Sequence, residues 1–523
     1  MLLNQLYIKL KSHRYTFPIL MFMVLLYLLM GTGLHGDDYN AIVSMRGDNL
    51  WDFLNPDPDR RGLMIFNLIT YYGFWWVYPL LGYDHVLIYD LIKVMVHGMS
   101  LYFVYKFAQD YLPNDRAIFA SIIFIFLPLH DATTYWYMTL PYLLTPALLL
   151  YAHHLIRNNR KKQGIPLVVL GAIANYTSPP YVFGLAAIFA FEQKFKNAII
   201  FATPGLLYVI IYFWVKHSYP DAEVRINSDL SILSFMKQLV LQLLTFIEAA
   251  IGPSYWLKIF YSVSSIGLVS AFLAVAFIAF AFTRARSFSL KPQASISLYF
   301  GLICILLLSF GMFALTGLYS HSAFNLGNRT TVYGSLLIAF LLSIMPINKK
   351  SVVLLSLILI VPVFGLSDYW KSWNVHQNNI IENIHTNKGL KTLGPDSTLI
   401  VTGNIYSKLG PFSHVEFFSM PWLVNSIFQD SVRSKDIIAL TPYIIYRDPF
   451  LEDSKFGRQY SLTSNLYVYD SEHDSIKKIS SSDLSQLLLE QSKEIRHWVQ
   501  LTRDTWIQDC VVWLSPRLIY LFD

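Results

Sequence analysis

Long apolar runs recur throughout the first 368 residues of this chain of 523 residues. A transmembrane helix needs about 20 predominantly apolar residues, and about eleven runs approach that length. They lie near 17–35, 84–106, 116–130, 136–156, 164–177, 180–192, 197–215, 259–283, 296–317, 331–347 and 351–368. Only 14% of the residues are charged, whereas soluble proteins carry about a quarter. The sequence therefore predicts a polytopic α-helical membrane protein with about 11 transmembrane helices.

The distribution of Lys and Arg predicts the orientation of these helices. With a cytoplasmic N-terminus and alternating spans, the inner segments hold 16 Lys and Arg in 49 residues, and the longer outer loops hold 8 in 103. Cytoplasmic loops carry such an excess of positive charge. The first long loop and all residues after 368 are therefore expected outside the cytoplasm. Because the net charge of +6 is spread over short clusters beside apolar runs, we expect membrane lipids as partners and no nucleic acid.

The predicted domains follow from a change in composition near residue 368. Residues 1–368 form the transmembrane domain, in which the first outer loop, 36–83, contains two helices on the membrane surface at 49–54 and 63–76. A further amphipathic helix is predicted at 230–250. Residues 369–523 are more polar, and short runs rich in β-branched and aromatic residues alternate there with turn residues. This pattern predicts an extracytoplasmic C-terminal domain of the α/β or mainly β class.

The adjacent carboxylates Asp37 and Asp38 follow the first apolar run directly. Ionisable groups at the end of a membrane helix are costly near lipid and usually carry function. One of them could take a proton from an acceptor hydroxyl as a general base. Its neighbour could raise the pKa of that base, orient the acceptor, or bind a divalent cation such as Mg²⁺ or Mn²⁺. The structural alternative is a helix cap beside a solvated carboxylate.

The acid pair carries a resemblance to a known family. A first span, an outer acid pair and a long first loop with surface helices resemble the GT-C superfamily of integral membrane glycosyltransferases. The version Asp37-Asp38-Tyr39, followed by Arg60-Arg61-Gly62, is similar to bacterial glucosyltransferases that decorate O-antigen. The resemblance covers roughly the first half of the chain; the tail after 369 has no counterpart.

The resemblance implies a hexosyltransferase that moves a sugar from a polyprenyl-phosphate donor to a glycan or glycolipid acceptor, such as the O-antigen of lipopolysaccharide. The expected location is the bacterial inner membrane, with transfer on the periplasmic side. Asp37 or Asp38 would be the catalytic base or a metal ligand, and Tyr39 would contact the substrate. No cofactor beyond a divalent cation is implied.

A second group of polar and aromatic residues lies in the next outer loop. His130-Asp131 and Tyr135-Trp136 follow the third predicted span. Asp131 could hold a sugar hydroxyl or share a metal, and Trp136 could stack on a pyranose ring. The structural alternative is an ordinary turn with aromatic residues at the membrane interface.

Outer arginines are the expected ligands of the lipid phosphate, since a guanidinium binds phosphate with two parallel hydrogen bonds. Arg329, at the outer end of a predicted span, is the preferred ligand, and His321 could assist it. Arg60, Arg61 and Arg225 are alternatives. The competing interpretations are headgroup anchoring for Arg329 and surface ion pairs for Arg60 and Arg61.

Two other functions remain open from the sequence. A transporter or flippase for lipid-linked glycans would use ionisable residues within its spans. Asp90, Lys93 and His97 lie at helical spacing in the second span, although a structural polar seam explains them as well. An O-antigen polymerase or ligase would also have many spans and large outer loops. The acid pair after the first span favours the glycosyltransferase.

Overall fold

The computed structural model describes residues 16–54, 67–218, 231–284, 295–317, 320–345, 349–394, 396–432, 437–447, 450–453, 458–463, 465–490, 495, 497–503 and 505–522. Helices dominate the part up to residue 391. They are α1 (Thr16–Leu29), α2 (Asp37–Ser44), α3 (Leu50–Leu54), α4 (Leu68–Thr70), α5 (Val77–Leu81), α6 (Val86–Gln109), α7 (Asn114–Phe126), α8 (Asp131–Tyr135), α9 (Leu140–Arg157), α10 (Lys161–Ala172), α11 (Pro179–Phe191), α12 (Phe195–Ser218), α13 (Ile232–Ile251), α14 (Pro253–Ser264), α15 (Leu268–Arg284), α16 (Ile296–Thr316), α17 (Val332–Ile344), α18 (Lys349–Thr386) and α19 (Lys388–Lys391). A π-helix lies at Tyr71–Trp75, and 3-10 segments lie at Pro128–His130, Tyr137–Thr139 and Leu326–Thr331.

Six helical stretches within the described residues are long and apolar enough to cross a membrane. They are Val86–Gln109, Asn114–Tyr135, Phe195–Val215, Ile232–Ser264, Ile296–Thr316 and Leu354–Thr386. Shorter apolar helices lie at Pro18–Leu29, Pro179–Phe191 and Leu268–Ala279. The prediction of a helical membrane protein is confirmed at this level. The count of eleven spans and the orientation stay predictions.

The first outer loop is helical where the structure describes it. Helix α3 falls within the predicted segment 49–54. Of the predicted segment 63–76, residues 63–66 lie outside the described residues, and a run of short helical turns extends from Leu68 to Leu81. The predicted amphipathic helix at 230–250 is confirmed as α13. A Gly252-Pro253 step separates α13 from α14, because proline cannot continue the hydrogen bonding of the preceding helix.

Two polar residues of α6, Asp90 and Lys93, form hydrogen bonds with the segment that leads to the acid pair. The carboxylate of Asp90 accepts hydrogen bonds from the backbone N–H groups of Gly31, at 2.7 Å, and Gly33, at 3.1 Å. Lys93 forms a buried ion pair with Asp90, 3.0 Å from Nζ to Oδ1, and also donates to the Gly33 carbonyl. These bonds satisfy buried backbone groups of a tight loop. The geometry therefore favours the structural interpretation of Asp90 and Lys93.

The C-terminal domain combines sheets and helices. Its strands are β1 (Ser397–Thr402), β2 (Tyr406–Leu409), β3 (Phe412–Glu416), β4 (Ile437–Leu440), β5 (Ile444–Arg447), β6 (Phe450–Asp453), β7 (Gln459–Ser461), β8 (Asn465–Asp470) and β9 (Ser475–Ile479), and its helices are α20 (Pro421–Val432), α21 (Ser481–Glu490), α22 (Trp506–Leu514) and a 3-10 turn at Pro516–Leu521. The central sheet has the order β4-β1-β8-β9. Strand β1 is parallel to β4 and β8, while β9 is antiparallel. Of the two predicted classes, the described strands and helices fit α/β.

Helix α18 joins the two parts of the molecule. It continues without a break across the predicted domain boundary at 368/369 and ends at Thr386. Trp370 and Gln377 are buried in its C-terminal half. Buried side chains on this stretch contact both the apolar helices and the C-terminal domain, so one continuous core extends from the helical bundle into the tail. The C-terminal end of α18 thereby sets the position of the C-terminal domain relative to the first outer loop.

Candidate functional site

Helix α2 begins with the acid pair, and Gly36 sets its position. Gly36 has φ of 50°, and a Cβ placed there would lie 2.9 Å from Leu326 Cδ1 and 3.2 Å from Trp136 Cζ2. The left-handed conformation and the close contact both require glycine. Gly36 therefore brings Asp37 and Asp38 against the loops that carry Trp136 and Arg329. The sequence could not show this convergence, because these loops are distant along the chain.

Asp38 is fully buried and is held by three donors. Its Oδ1 accepts from the Tyr78 hydroxyl at 2.6 Å and from the Met138 backbone N–H at 3.1 Å, and its Oδ2 accepts from the His35 backbone N–H at 2.9 Å. Burial raises the pKa of Asp38 from 3.8 to about 7, although the Tyr78 hydroxyl and the His35 amide oppose the rise. Asp38 thus joins the segments of His35, Tyr78 and Met138 and has no exposed surface.

Asp37 is less buried than Asp38. Its side chain is half-buried, and its Oδ1 accepts a hydrogen bond from Trp422 Nε1 at 2.9 Å. Trp422 belongs to α20, which also contacts α2 through a hydrogen bond between Ser426 and Asn40 at 2.8 Å. An ion pair joins Asp430 of α20 to Arg46, two residues beyond the end of α2. The C-terminal domain therefore covers one side of the acid pair. Asp37 is the more exposed carboxylate of the pair.

Trp136 and Arg329 lie beside the acid pair. The edge of the Trp136 indole that carries Nε1 lies against Gly36, and Nε1 itself is buried without a hydrogen-bond partner among the described residues. The Arg329 guanidinium lies 5.3 Å from the centre of the Trp136 ring and 6.0 Å from that of Tyr142. Arg329 also donates to the Leu326 carbonyl at 3.0 Å. The structure thus brings together the acid pair, Trp136 and Arg329.

Asp131 lies deeper, at the centre of a buried polar network. Its Oδ1 accepts from Lys258 Nζ at 2.7 Å and from the Asn328 side-chain amide. Its Oδ2 accepts from Trp370 Nε1 and from His414 Nε2, each at 2.8 Å. Four donors from four separate segments saturate a carboxylate that is only 1% exposed. The role of Asp131 as a sugar or metal ligand stays a prediction, and this geometry favours a structural role.

The tautomer of His414 follows from its two contacts. Its Nδ1 accepts from the Asn325 backbone N–H at 3.1 Å, so its Nε2 carries the proton that is donated to Asp131. Burial lowers the pKa of His414, and the neighbouring Asp131 opposes that shift. A neutral His414 therefore links the C-terminal domain to the helical part through two hydrogen bonds, one donated to Asp131 and one accepted from the Asn325 backbone N–H.

Two other predicted substrate residues lie inside the packed core. The Tyr39 hydroxyl donates to the Leu34 carbonyl at 3.2 Å, and its ring packs against Tyr83 and Phe417. His321 is enclosed by the rings of Phe246, Phe310 and Phe313, and burial lowers its pKa to about 3. Both side chains are buried. Their predicted contacts with substrate or phosphate are not supported by these positions.

The remaining phosphate candidates, Arg60, Arg61 and Arg225, lie outside the described residues. A divalent cation fits poorly at the acid pair. Asp38 already accepts three hydrogen bonds, and the described residues contain no group of three or more His, Cys, Asp or Glu side chains placed to hold a metal. Metal ligation usually needs more oxygen donors than Asp37 alone supplies.

Several residues of this region were not found by sequence reasoning. Tyr78 and Trp422 contact the acid pair, and Lys258, Trp370 and His414 contact Asp131. Most of these contacts link residues more than 100 positions apart. A single sequence contains no signal for such pairs, since each residue by itself fits an interfacial aromatic, a membrane-flanking cation or a strand residue.

The pH dependence of stability tests the burial of Asp38. Between pH 4 and 7 the folded protein keeps a proton that the unfolded chain releases, because the pKa of Asp38 rises from 3.8 to about 7 on folding. Its contribution to stability is therefore greatest below pH 4 and is lost as the pH rises through 7. We expect the thermal unfolding midpoint of wild type, relative to Asp38→Asn, to fall between pH 5 and pH 8. A difference that stays constant with pH would contradict this, and Asp84→Asn, at an exposed site, is the control.

Comparisons of this chain with protein-family models, with curated proteins and with solved structures found no match.

Proposed function

We propose that this protein is a GT-C-like membrane glycosyltransferase that moves a sugar from a polyprenyl-phosphate donor to a hydroxyl of a glycan or glycolipid acceptor. The observation that carries the proposal is the convergence of an accessible carboxylate, an indole with an unpaired N–H and an arginine at one place outside the long apolar helices. This set matches the needs of a sugar and an anionic leaving group. The site belongs to the extracytoplasmic side if the orientation predicted from Lys and Arg holds.

Asp37 is the general base of this mechanism. The acceptor hydroxyl gives its proton to Asp37 while its oxygen attacks the anomeric carbon of the donor. A new glycosidic C–O bond forms, and the bond between the anomeric carbon and the phosphate oxygen breaks. The phosphate leaves with the electron pair of that bond. A single displacement of this kind inverts the anomeric centre.

Arg329 stabilises the departing lipid phosphate. Its guanidinium lies over Trp136 and Tyr142, which fixes the plane of the group beside the acid pair, and a planar guanidinium suits the oxygens of a phosphate. Trp136 is only 3% exposed, so its ring holds the Arg329 guanidinium in place and does not stack on the sugar. Its Nε1–H lacks a partner among the described residues. Asp38 positions its neighbour by fixing the first turn of α2.

The C-terminal domain shapes the acceptor side of the site. Trp422 is its residue in contact with Asp37, and an aromatic side chain beside a carboxylate suits a sugar with several hydroxyl groups. A transporter remains the second candidate, but the ionisable residues Asp90 and Lys93 of α6 are engaged in holding a loop. His97 of the same helix is buried, with Nδ1 2.8 Å from the Lys93 carbonyl and Nε2 without a partner among the described residues.

Sugar transfer from a panel of radiolabelled polyprenyl-phosphate sugars tests the proposal. Purified wild type should transfer one sugar to an acceptor extract and release polyprenyl phosphate. Arg329→Gln, which removes the positive charge, should lower kcat by about 10–100-fold, as expected for the loss of a charged hydrogen bond worth 1.5–3 kcal/mol. Arg160→Gln, at an exposed arginine remote in sequence from this site, should transfer at the wild-type rate.

The outcomes separate the candidates. Transfer that is unchanged by Arg329→Gln would remove Arg329 from the mechanism. Failure of the well-folded wild type to transfer any sugar, together with movement of a lipid-linked glycan across vesicles that contain it, would replace the enzyme with a transporter. Addition of EDTA should leave transfer unchanged, because the mechanism uses no metal.

A further inference from the structure

The last described segment of the chain lies along helix α13. Near the C-terminal end of α13, Glu248 accepts a hydrogen bond from Trp498 Nε1 at 2.7 Å and pairs with His497 at 3.3 Å. Toward the other end, Lys237 donates to the Trp513 carbonyl at 3.0 Å, and its ammonium lies 3.4 Å from the centre of the Trp513 ring. The tail therefore follows α13 over eleven residues, about 16 Å at a rise of 1.5 Å per residue.

This contact decides how α13 can lie in the membrane. If α13 crossed the bilayer, the segment beside it would carry His497, Arg503 and Asp509 through or into the hydrocarbon core. Placing a charged side chain in the hydrocarbon core costs free energy unless the charge is paired or solvated. Arg503 and Asp509 are exposed in the structure. Helix α13 therefore lies along the membrane surface, although its length and composition would allow it to span.

Two apolar faces are left uncovered beside this contact. On α13, the exposed apolar side chains recur at helical spacing. They are Ile232, which is 85% exposed, and Leu233, Met236, Val240, Leu243, Leu244, Ile247 and Ile251. On α22, Trp506 is 74% and Trp513 62% exposed. Cys510 is also exposed and lies between them at spacings of four and three residues, so the three share one face of the helix.

We propose that α22 and α13 together form a membrane-surface anchor, by which the C-terminal domain inserts Trp506 and Trp513 into the phospholipid interface on its own side of the bilayer. Tryptophan favours this interface because its ring is apolar and its N–H is polar. Lys237 lies between the two helices, where its ammonium can meet lipid phosphates while its stem covers apolar surface. The partner is a phospholipid surface; this inference does not depend on the proposed catalytic function.

Fluorescence quenching by spin-labelled lipid tests the anchor. Cys304→Ala leaves Cys510 as the one cysteine of the chain, and Cys510 can carry an environment-sensitive fluorophore in nanodiscs with one protein each. Lipids with a nitroxide near the top of the acyl chain should quench this label at least about threefold more than a label on Ser482→Cys in a background that also carries Cys510→Ala. Ser482 is exposed on α21 of the same domain, which makes it a matched control.

Two results would overturn the anchor. Equal quenching at the two positions would place α22 in water. A blue shift of the label's emission that appears only with two proteins in a disc, without quenching by the lipid nitroxide, would assign the face to a second copy of the chain. In the supporting case, Trp506→Asp with Trp513→Asp should at least halve the quenching at Cys510, and since both rings are exposed, the fold should survive the change.

Discussion

Asp37→Asn is expected to lower kcat for sugar transfer by about 10²–10⁴-fold, the range for losing a general base. Asparagine keeps the size of the side chain and can still accept from Trp422 Nε1, which lies 2.9 Å from Asp37 Oδ1. The fold and donor binding should therefore be retained. Initial rates at saturating donor, together with the dissociation constant of a non-transferable donor analogue, measure the two effects separately.

The matched controls are Asp84→Asn and Asp38→Asn. Asp84 is an exposed carboxylate near the same loop, and its replacement should leave kcat unchanged. Asp38→Asn should lower both stability and activity, since the new amide N–H₂ has to face donors such as the His35 N–H. A wild-type rate in Asp37→Asn with a well-folded but inactive Asp38→Asn would exchange the roles assigned to the two residues.

Asp131→Asn is expected to destabilise the folded protein by about 3–5 kcal/mol, the cost of removing one partner of a buried ion pair. The variant leaves Lys258 charged and buried with its carboxylate gone. The new amide also has to face N–H donors from Trp370, His414 or Lys258. The measurement is the free energy of unfolding in mixed micelles, followed by tryptophan fluorescence.

A double variant distinguishes a structural from a catalytic Asp131. Asp131→Asn with Lys258→Met removes the unpaired charge, so its loss of stability should be smaller than the sum of the two single losses by at least about 1 kcal/mol. Transfer activity should return in proportion to the folded fraction. Full stability of Asp131→Asn with a lost rate would instead make Asp131 a substrate ligand.

The parts of this fold that depend on local composition can be predicted from the sequence. The apolar runs predict membrane helices, because the bilayer demands continuous stretches in which every backbone group bonds within the helix. The amphipathic pattern at 230–250 predicts α13, because apolar residues at helical spacing form one apolar face on a helix. The turn residues and short apolar runs after residue 396 predict a domain with strands, and the described residues contain a four-stranded mixed sheet.

The candidate site could be predicted only in part. Asp37, Asp38, Trp136 and Arg329 were found because each is a residue of distinctive chemistry beside an apolar run. The different surroundings of the two aspartates were not found. Tyr78 and the Met138 amide bury Asp38, whereas Trp422 leaves Asp37 partly open.

The apolar runs of the sequence predict helices of membrane-spanning length, with acids, aromatic residues and arginines between them. The partners of Asp131 follow from the folded structure alone, since Lys258, Trp370 and His414 lie 127 to 283 positions away along the chain. The physical reason is the cost of burying a polar group without a partner. That cost requires each buried charge to find donors, but it does not specify from which part of the chain they come.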